Sequence, residues 1–157
     1  MKIQLRVVGK TTQDFVEYGL TEFCERIEHY LSFEIQVIPA IKDTQNLSPE
    51  QVKEKEGEWI LKSIRPEDYI VLLDEHGRNF TSLQFSEYLE RKILTVPKTL
   101  VFVIGGPYGF SQKVQNAAQE KIALSKMTFS HQLVRLIFVE QLYRALAILN
   151  HLPYHHE

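Results

Sequence analysis

The side chains best suited to chemistry gather in the last quarter of the chain. His131, Arg135, Glu140, Arg144, Tyr154, His155 and His156 all follow Lys121, and with His151 this stretch holds four of the six histidines. Histidine is the side chain most easily poised as a base near neutral pH. Glu140 stands one helical turn before Arg144, the favourable order for an ion pair. That pair reads either as a structural bridge on a solvated strip or as an anchor that offers the arginine fork to a phosphate. Tyr154 supplies a ring on which a nucleobase can stack. The stretch from Lys121 onward is +2, against −4 for the residues before it. It reads either as a set of surface and capping histidines or as a functional end that meets an anionic partner.

Three loops accompany these residues. Gly105-Gly106-Pro107-Tyr108-Gly109-Phe110 follows a strand-like run and precedes Ser111, a good helix cap. Open α/β sheets bind ligands at the carboxyl ends of their strands, although such a loop also reads as a plain strand-to-helix turn. Its spacing is not that of a dinucleotide fingerprint, no Gly-Lys-Ser/Thr follows, and Pro107 removes a backbone donor that a phosphate cradle needs. Leu124-Ser125-Lys126-Met127-Thr128-Phe129-Ser130-His131 mixes apolar and hydroxyl groups, which suits a pocket wall facing a small amphipathic ligand. Asp74 and Glu75 end another buried run and read either as catalytic carboxylates or ligands to a ribose hydroxyl, or, more commonly for such a position, as solvated loop acids. No spacing of His, Cys or acids makes a metal site. Cys24 is the only cysteine, which excludes an internal disulfide and fits a reducing cytosol.

The elements that must position these groups alternate. Strand-like runs are Ile3–Val8, Phe33–Ile38, Tyr69–Leu73 and Thr99–Ile104, with a shorter candidate at Ile122–Met127. The third and fourth are almost unbroken in apolar residues, as strands covered on both faces are. Helical spacing predicts helices from Asp14 to Leu31, from Ser48-Pro49 to about Ser63, from Ser82, from Ser111, and from Gln132 to Asn150. Alternation of this kind predicts an α/β domain, with a mostly parallel, Rossmann-like sheet and helices on both faces. The last helix is apolar nearly all round, so it must be covered on every side, one face by the sheet and another by a partner subunit; Leu142 and Leu146 are the positions expected at that interface. With 157 residues, 44% apolar and 24% charged, and no linker or repeat, residues 1–157 read as one soluble domain. No targeting segment or membrane span is expected.

Four motifs in order resemble the RlmH (YbeA-like) branch of the SPOUT methyltransferases. They are Val103-Ile104-Gly105-Gly106-Pro107-Tyr108-Gly109, Leu124 to Phe129 with His131, Glu140-Gln141-Leu142-Tyr143-Arg144-Ala145, and Pro153-Tyr154-His155. The opening Met1-Lys2-Ile3, the Val52-to-Gly57 stretch and the length match as well, so the resemblance covers essentially the whole chain. It implies a SPOUT fold with a C-terminal trefoil knot, a cytoplasmic homodimer, and an enzyme. The implied reaction is S-adenosylmethionine-dependent methylation of the N3 atom of a pseudouridine in 23S ribosomal RNA, on the assembled ribosome. A non-catalytic dimeric RNA- or ribosome-binding module of the same fold is the alternative. By motif, Leu73, Gly105, Gly106, Gly109, Leu124, Ser125, Lys126, Met127, Thr128 and Phe129 would hold the cofactor. Arg144, Tyr154 and His155 would be catalytic, with His131, Arg135, Glu140 and His156 on the substrate side. No metal and no membrane are implied. Ser130 and His156 depart from the family pattern, which expects Pro and a basic residue there.

Overall fold

The computed structural model describes residues 1–157. The apolar runs form β1 (Lys2–Val8), β2 (Ser32–Ile38), β3 (Asp68–Asn79), β4 (Thr99–Ile104) and β5 (Glu120–Ala123). All pair in parallel, in the order β2-β1-β4-β3-β5. Helices α1 (Asp14–Glu28), α2 (Pro49–Ser63), α3 (Ser82–Thr95), α4 (Gln112–Ala117) and α5 (Leu133–Leu149) cover both faces. Parallel pairing demands such crossovers, and they explain why the middle strands read as continuous apolar runs: Leu100, Val101, Phe102 and Val103 are all wholly enclosed.

The two faces bury separate cores. Under α1, α3 and α5, Ile3, Leu5 and Phe102 of the sheet meet Val16, Leu89 and Phe138. The Phe102 and Phe138 rings lie 4.8 Å apart; deleting a ring from such a packed site costs about 3–5 kcal/mol. Under α2 and α4, Ile70, Leu72, Val101 and Val103 meet Ile60 and Val114. Side chains fix where the helices start. Ser48 and Gln51 bond reciprocally at the head of α2, and Thr81 and Gln84 do the same at α3. The third helix begins at Ser82, as the sequence predicts, with Thr81 as the residue that caps it. Ser111 accepts from the Val114 amide at the head of α4.

Three element ends differ most from those the sequence suggests. The first helix ends at Glu28, where the His29, Tyr30 and Leu31 amides close a last turn onto Arg26 and Ile27 before β2 begins. The third strand runs to Asn79, because a register shift sets both Leu73 and Arg78 against Ile122 and pushes Asp74–Gly77 out of the ladder. The fifth strand stops at Ala123 instead of Met127: Ser125 Oγ accepts the Met127 amide at 3.0 Å, a local turn that competes with strand pairing. Glu120 anchors this short strand to α3, accepting from Tyr88 Oη at 2.7 Å and pairing with Lys92 at 2.9 Å. No helix is long and apolar enough to cross a membrane.

Candidate active site

Parallel pairing brings the carboxyl ends of β3, β4 and β5 to one edge of the sheet, and the loops leaving them enclose a cleft of about 500 Å³. The β4 loop contributes Gly105, Gly106 and Gly109 with Ile104, Pro107, Tyr108 and Phe110. The β3 bulge adds Leu73, Asp74, Glu75 and His76, and the β5 loop adds Leu124, Ser125, Met127, Thr128, Phe129 and His131. Val134, in the first turn of α5, closes one wall. The volume lies inside the range of small-ligand pockets. Gly109 has φ of +81°, a conformation only glycine adopts without strain.

The cleft walls are mainly apolar side chains and backbone, with a few aimed polar groups. Thr128 Oγ1 donates to Glu75 Oε2 at 2.9 Å, tying the β5 loop to the β3 bulge. Asp74 Oδ1 accepts the His76 amide at 2.8 Å. His131 Nδ1 is enclosed with no partner in the protein. Burial, and then the charge of Arg135, hold the His131 imidazole below its ordinary pKa, against the opposing effect of the Gly105 backbone, and so favour the neutral ring. Asp74 and Glu75 therefore line the cleft, where the sequence favours the solvated-acid reading over a ligand contact: the bulge that sets them there is a register feature of two strands. Lys126 is exposed and, unlike its neighbours, does not line the cleft.

Arg135 is not placed to touch a substrate. Its side chain is wholly enclosed, and its guanidinium donates to the carbonyls of Val8, Gly9 and His131 and to Thr11 Oγ1 at 2.8–3.2 Å. It fastens the loop after β1 to the head of α5. Gln132 adds two bonds to the same loop, at Lys10 and Thr12. Leu142 and Leu146, expected at a subunit interface, are likewise packed inside the monomer core.

Arg144, Tyr154 and His155 do come together, with Glu140 at their centre. Glu140 Oε1 pairs with Arg144 at 2.6 Å and accepts from Tyr154 Oη at 2.9 Å. The guanidinium lies over the Tyr154 ring at 4.8 Å and reaches His155 Nδ1 at 3.0 Å. His151, with φ of +57°, reverses the chain after α5, and the Leu152 amide bonds back to Ala147, which returns the tail along the helix. Burial, then the Glu140 bond, push the Tyr154 phenol up to about 12, so it keeps its proton and donates at neutral pH. Because a guanidinium only donates, His155 Nδ1 must accept, which assigns the proton to Nε2. Nε2 faces Glu157 Oε1 at 3.2 Å without the alignment of a hydrogen bond. His156 is exposed.

None of the three lines the cleft. Val134 and Arg144 are separated by ten residues of α5, about 15 Å along the axis, so the cluster and the cleft occupy different stretches of the helix. Leu133, Ile137 and Ile148 share the side of α5 that carries Glu140 and Arg144, and all three are only half-buried. The neighbouring sides are taken, by α1 through Leu136 against Gly19 and Tyr143 against Phe23, and by α3 through Gln141 against Ser82. No group of three or more His, Cys, Asp or Glu is arranged to hold a metal ion. Burial and then nearby Glu28 push the Cys24 thiol up to about 11, leaving it unreactive at neutral pH.

The family model described as "Predicted SPOUT methyltransferase" matches residues 1–155. Proteins named "Ribosomal RNA large subunit methyltransferase H" align with the chain from end to end. The one from Parabacteroides distasonis is 62% identical and the one from Phocaeicola vulgatus 60%, each over 157 residues and the whole of both chains. That from Christiangramia forsetii is 52% identical over 156 residues, 99% of each chain.

Proposed function

The chain belongs to the SPOUT methyltransferase family, and from that premise we propose that it methylates large-subunit ribosomal RNA, with S-adenosylmethionine as donor and the N3 atom of a pseudouridine in 23S rRNA as acceptor. The observation that carries this reading is the pairing of two features. One is a cleft of nucleoside size, walled by glycine backbone and apolar groups. The other is an arginine–tyrosine–histidine cluster built to face an anion. A purely structural module of the same fold has no need for either.

The cleft fits the proposed cofactor. Its size, its freedom from phosphate-binding motifs and the enclosed, unpartnered His131 Nδ1 suit a ligand that is read through backbone and a few polar atoms. Gly105, Gly106 and Gly109, Leu73, and Leu124, Ser125, Met127, Thr128 and Phe129 would hold it. The bound cofactor supplies a methyl group on a sulfonium, already a strong electrophile. The protein's part is then proximity and orientation, which are worth about 7–11 kcal/mol when reacting atoms are held in line.

The C-terminal cluster has a separate task. Glu140 fixes Arg144 so that its remaining donors face outward, where they hold a backbone phosphate or steady the negative charge that grows on the base as N3 loses its proton. Tyr154, protonated and pinned by Glu140, offers its ring for contact with a base. His155 holds the other side of the Arg144 fork. In this arrangement its only basic nitrogen is occupied, so it acts as a positioning residue; release of Nδ1 would be needed before it took a proton.

The distance between cleft and cluster makes a second subunit part of this reading. The half-buried Leu133–Ile137–Ile148 side of α5 is the face for a homodimer. It carries Arg144 with it, so pairing there brings one chain's cluster toward its partner's cleft. Two copies would also pool basic surface, which offsets the low net charge for a target held largely through its phosphates. The reading places the enzyme in the cytoplasm with the ribosome, and with family membership goes the expectation of a trefoil-knotted C-terminal half.

Calorimetric titration with S-adenosylhomocysteine, the demethylated and neutral product, tests the cofactor assignment. Binding at micromolar levels is expected, with none for NADH or ATP. A silent titration with a folded protein would overturn the assignment.

A further inference from the structure

The Val52-to-Gly57 stretch has no place in the reading so far, although it lies far from the cleft in sequence and close to it in space. Its Glu56 is 5% exposed, in a layer otherwise closed by Ile60, Val114 and Phe110. An acid so enclosed is costly unless bonded. Its Oε1 accepts the amide of Gly106 at 2.7 Å. Burial pushes the carboxyl above its ordinary pKa, and the Gly106 bond opposes that shift.

Two glycines are shaped around this contact. A Cβ on Gly106 would collide with Glu56 Oε2, so the carboxylate occupies the space a side chain would need. A Cβ on Gly57 would sit 2.5 Å from Ser111 Oγ, so glycine there lets α2 press onto the far end of the same loop. The helix is thus docked against the cleft loop from the side away from the ligand.

The consequence follows from peptide geometry. In a trans peptide the N–H and the C=O point in opposite directions, and the chain has no cis bonds. The Gly106 N–H points into the α2 layer toward Glu56, so the Gly105 carbonyl of the same peptide points the other way, toward the cleft and His131. Glycine-flanked peptides flip easily because neither residue resists a change of φ and ψ. One buried acceptor removes that freedom.

Resting on the cofactor assignment above, we propose that Glu56 is a positioning residue for the cofactor cleft: by binding the Gly106 amide it locks the Gly105–Gly106 peptide with its carbonyl facing inward, as an acceptor for an N–H donor of the bound nucleoside. What matters is the reach of the Glu56 oxygen and not its charge.

Glu56→Gln and Glu56→Asp separate these properties. The first keeps the reach and loses the charge; the second keeps the charge and draws the oxygen back by one methylene. Affinity for S-adenosylhomocysteine should fall about 10-fold in Glu56→Asp, the scale of one lost hydrogen bond, and stay within about threefold in Glu56→Gln. In amide NMR spectra the Gly106 N–H should be protected from exchange in the wild type and in Glu56→Gln, and unprotected in Glu56→Asp. Both readouts are taken on folded protein, so lost stability alone does not imitate them. Wild-type affinity in Glu56→Asp, or an equal loss in both variants, would overturn the proposal. If Glu56→Asp does not fold, a Gly106 amide that exchanges freely in the wild type would overturn it as well. A wild-type protein that binds no S-adenosylhomocysteine would instead remove the cofactor assignment beneath it, while the exchange measurement would still report on the lock.

Discussion

Arg144 donates to the Nδ1 atom of His155 across 3.0 Å, and that bond decides what the histidine can do. A ring nitrogen already accepting from a guanidinium is not free to take a proton from a substrate. Glu140 holds the opposite side of the same guanidinium at 2.6 Å, so Arg144 is clamped between an acid and an imidazole, with the Tyr154 ring beside it.

This geometry ranks the two residues. Arg144→Ala should reduce methyl transfer by about 10³-fold or more, the scale of losing a charge aimed at the transition state. His155→Ala should cost less, about 10- to 100-fold, and leave the shape of the pH–rate profile unchanged, because a positioning residue adds no titrating step. Single-turnover rates with ribosomal particles across pH measure both. Loss of one limb of the profile in His155→Ala would make His155 the base.

Arg135 is a matter of stability. Arg135→Met removes donors from the carbonyls of Val8, Gly9 and His131 and from Thr11. Unpaired buried acceptors cost about 1–3 kcal/mol each, so urea denaturation should show a loss of at least about 3 kcal/mol. An unshifted midpoint together with weakened RNA binding would return Arg135 to the substrate side.

The sides of α5 differ in what they carry. Ile137→Glu places a charge on the half-buried side and should yield a folded monomer by light scattering. Leu142→Glu buries the same charge in the core and should unfold the protein, since unpaired buried charges are among the most damaging substitutions. A stable dimer from Ile137→Glu would place the interface elsewhere.

Much of this was readable from residue order. Unbroken apolar runs, Ser48-Pro49, Ser111 and the glycine loop after β4 mark the α/β layers and the cleft by themselves. The rest depends on pairings that sequence does not carry. Arg135 and Arg144 have the same side chain on the same helix, and only their neighbours make one a clamp for buried carbonyls and the other a half-buried fork held by Glu140 and His155. The apolar girth of α5 predicts burial on all sides without saying that Leu142 faces the core and Ile137 does not. Asp74 and Glu75 enter the cleft through a register shift against Ile122, and Glu56 acts on a loop fifty residues away. Each of these is a relation between distant segments, which local spacing does not encode.

The account as a whole is tested most directly by mass spectrometry of 23S ribosomal RNA from cells with and without this protein. The prediction is one monomethylated pseudouridine present in the first and unmethylated in the second, restored by the wild-type gene but not by Arg144→Ala. Identical methylation in both cells would contradict it.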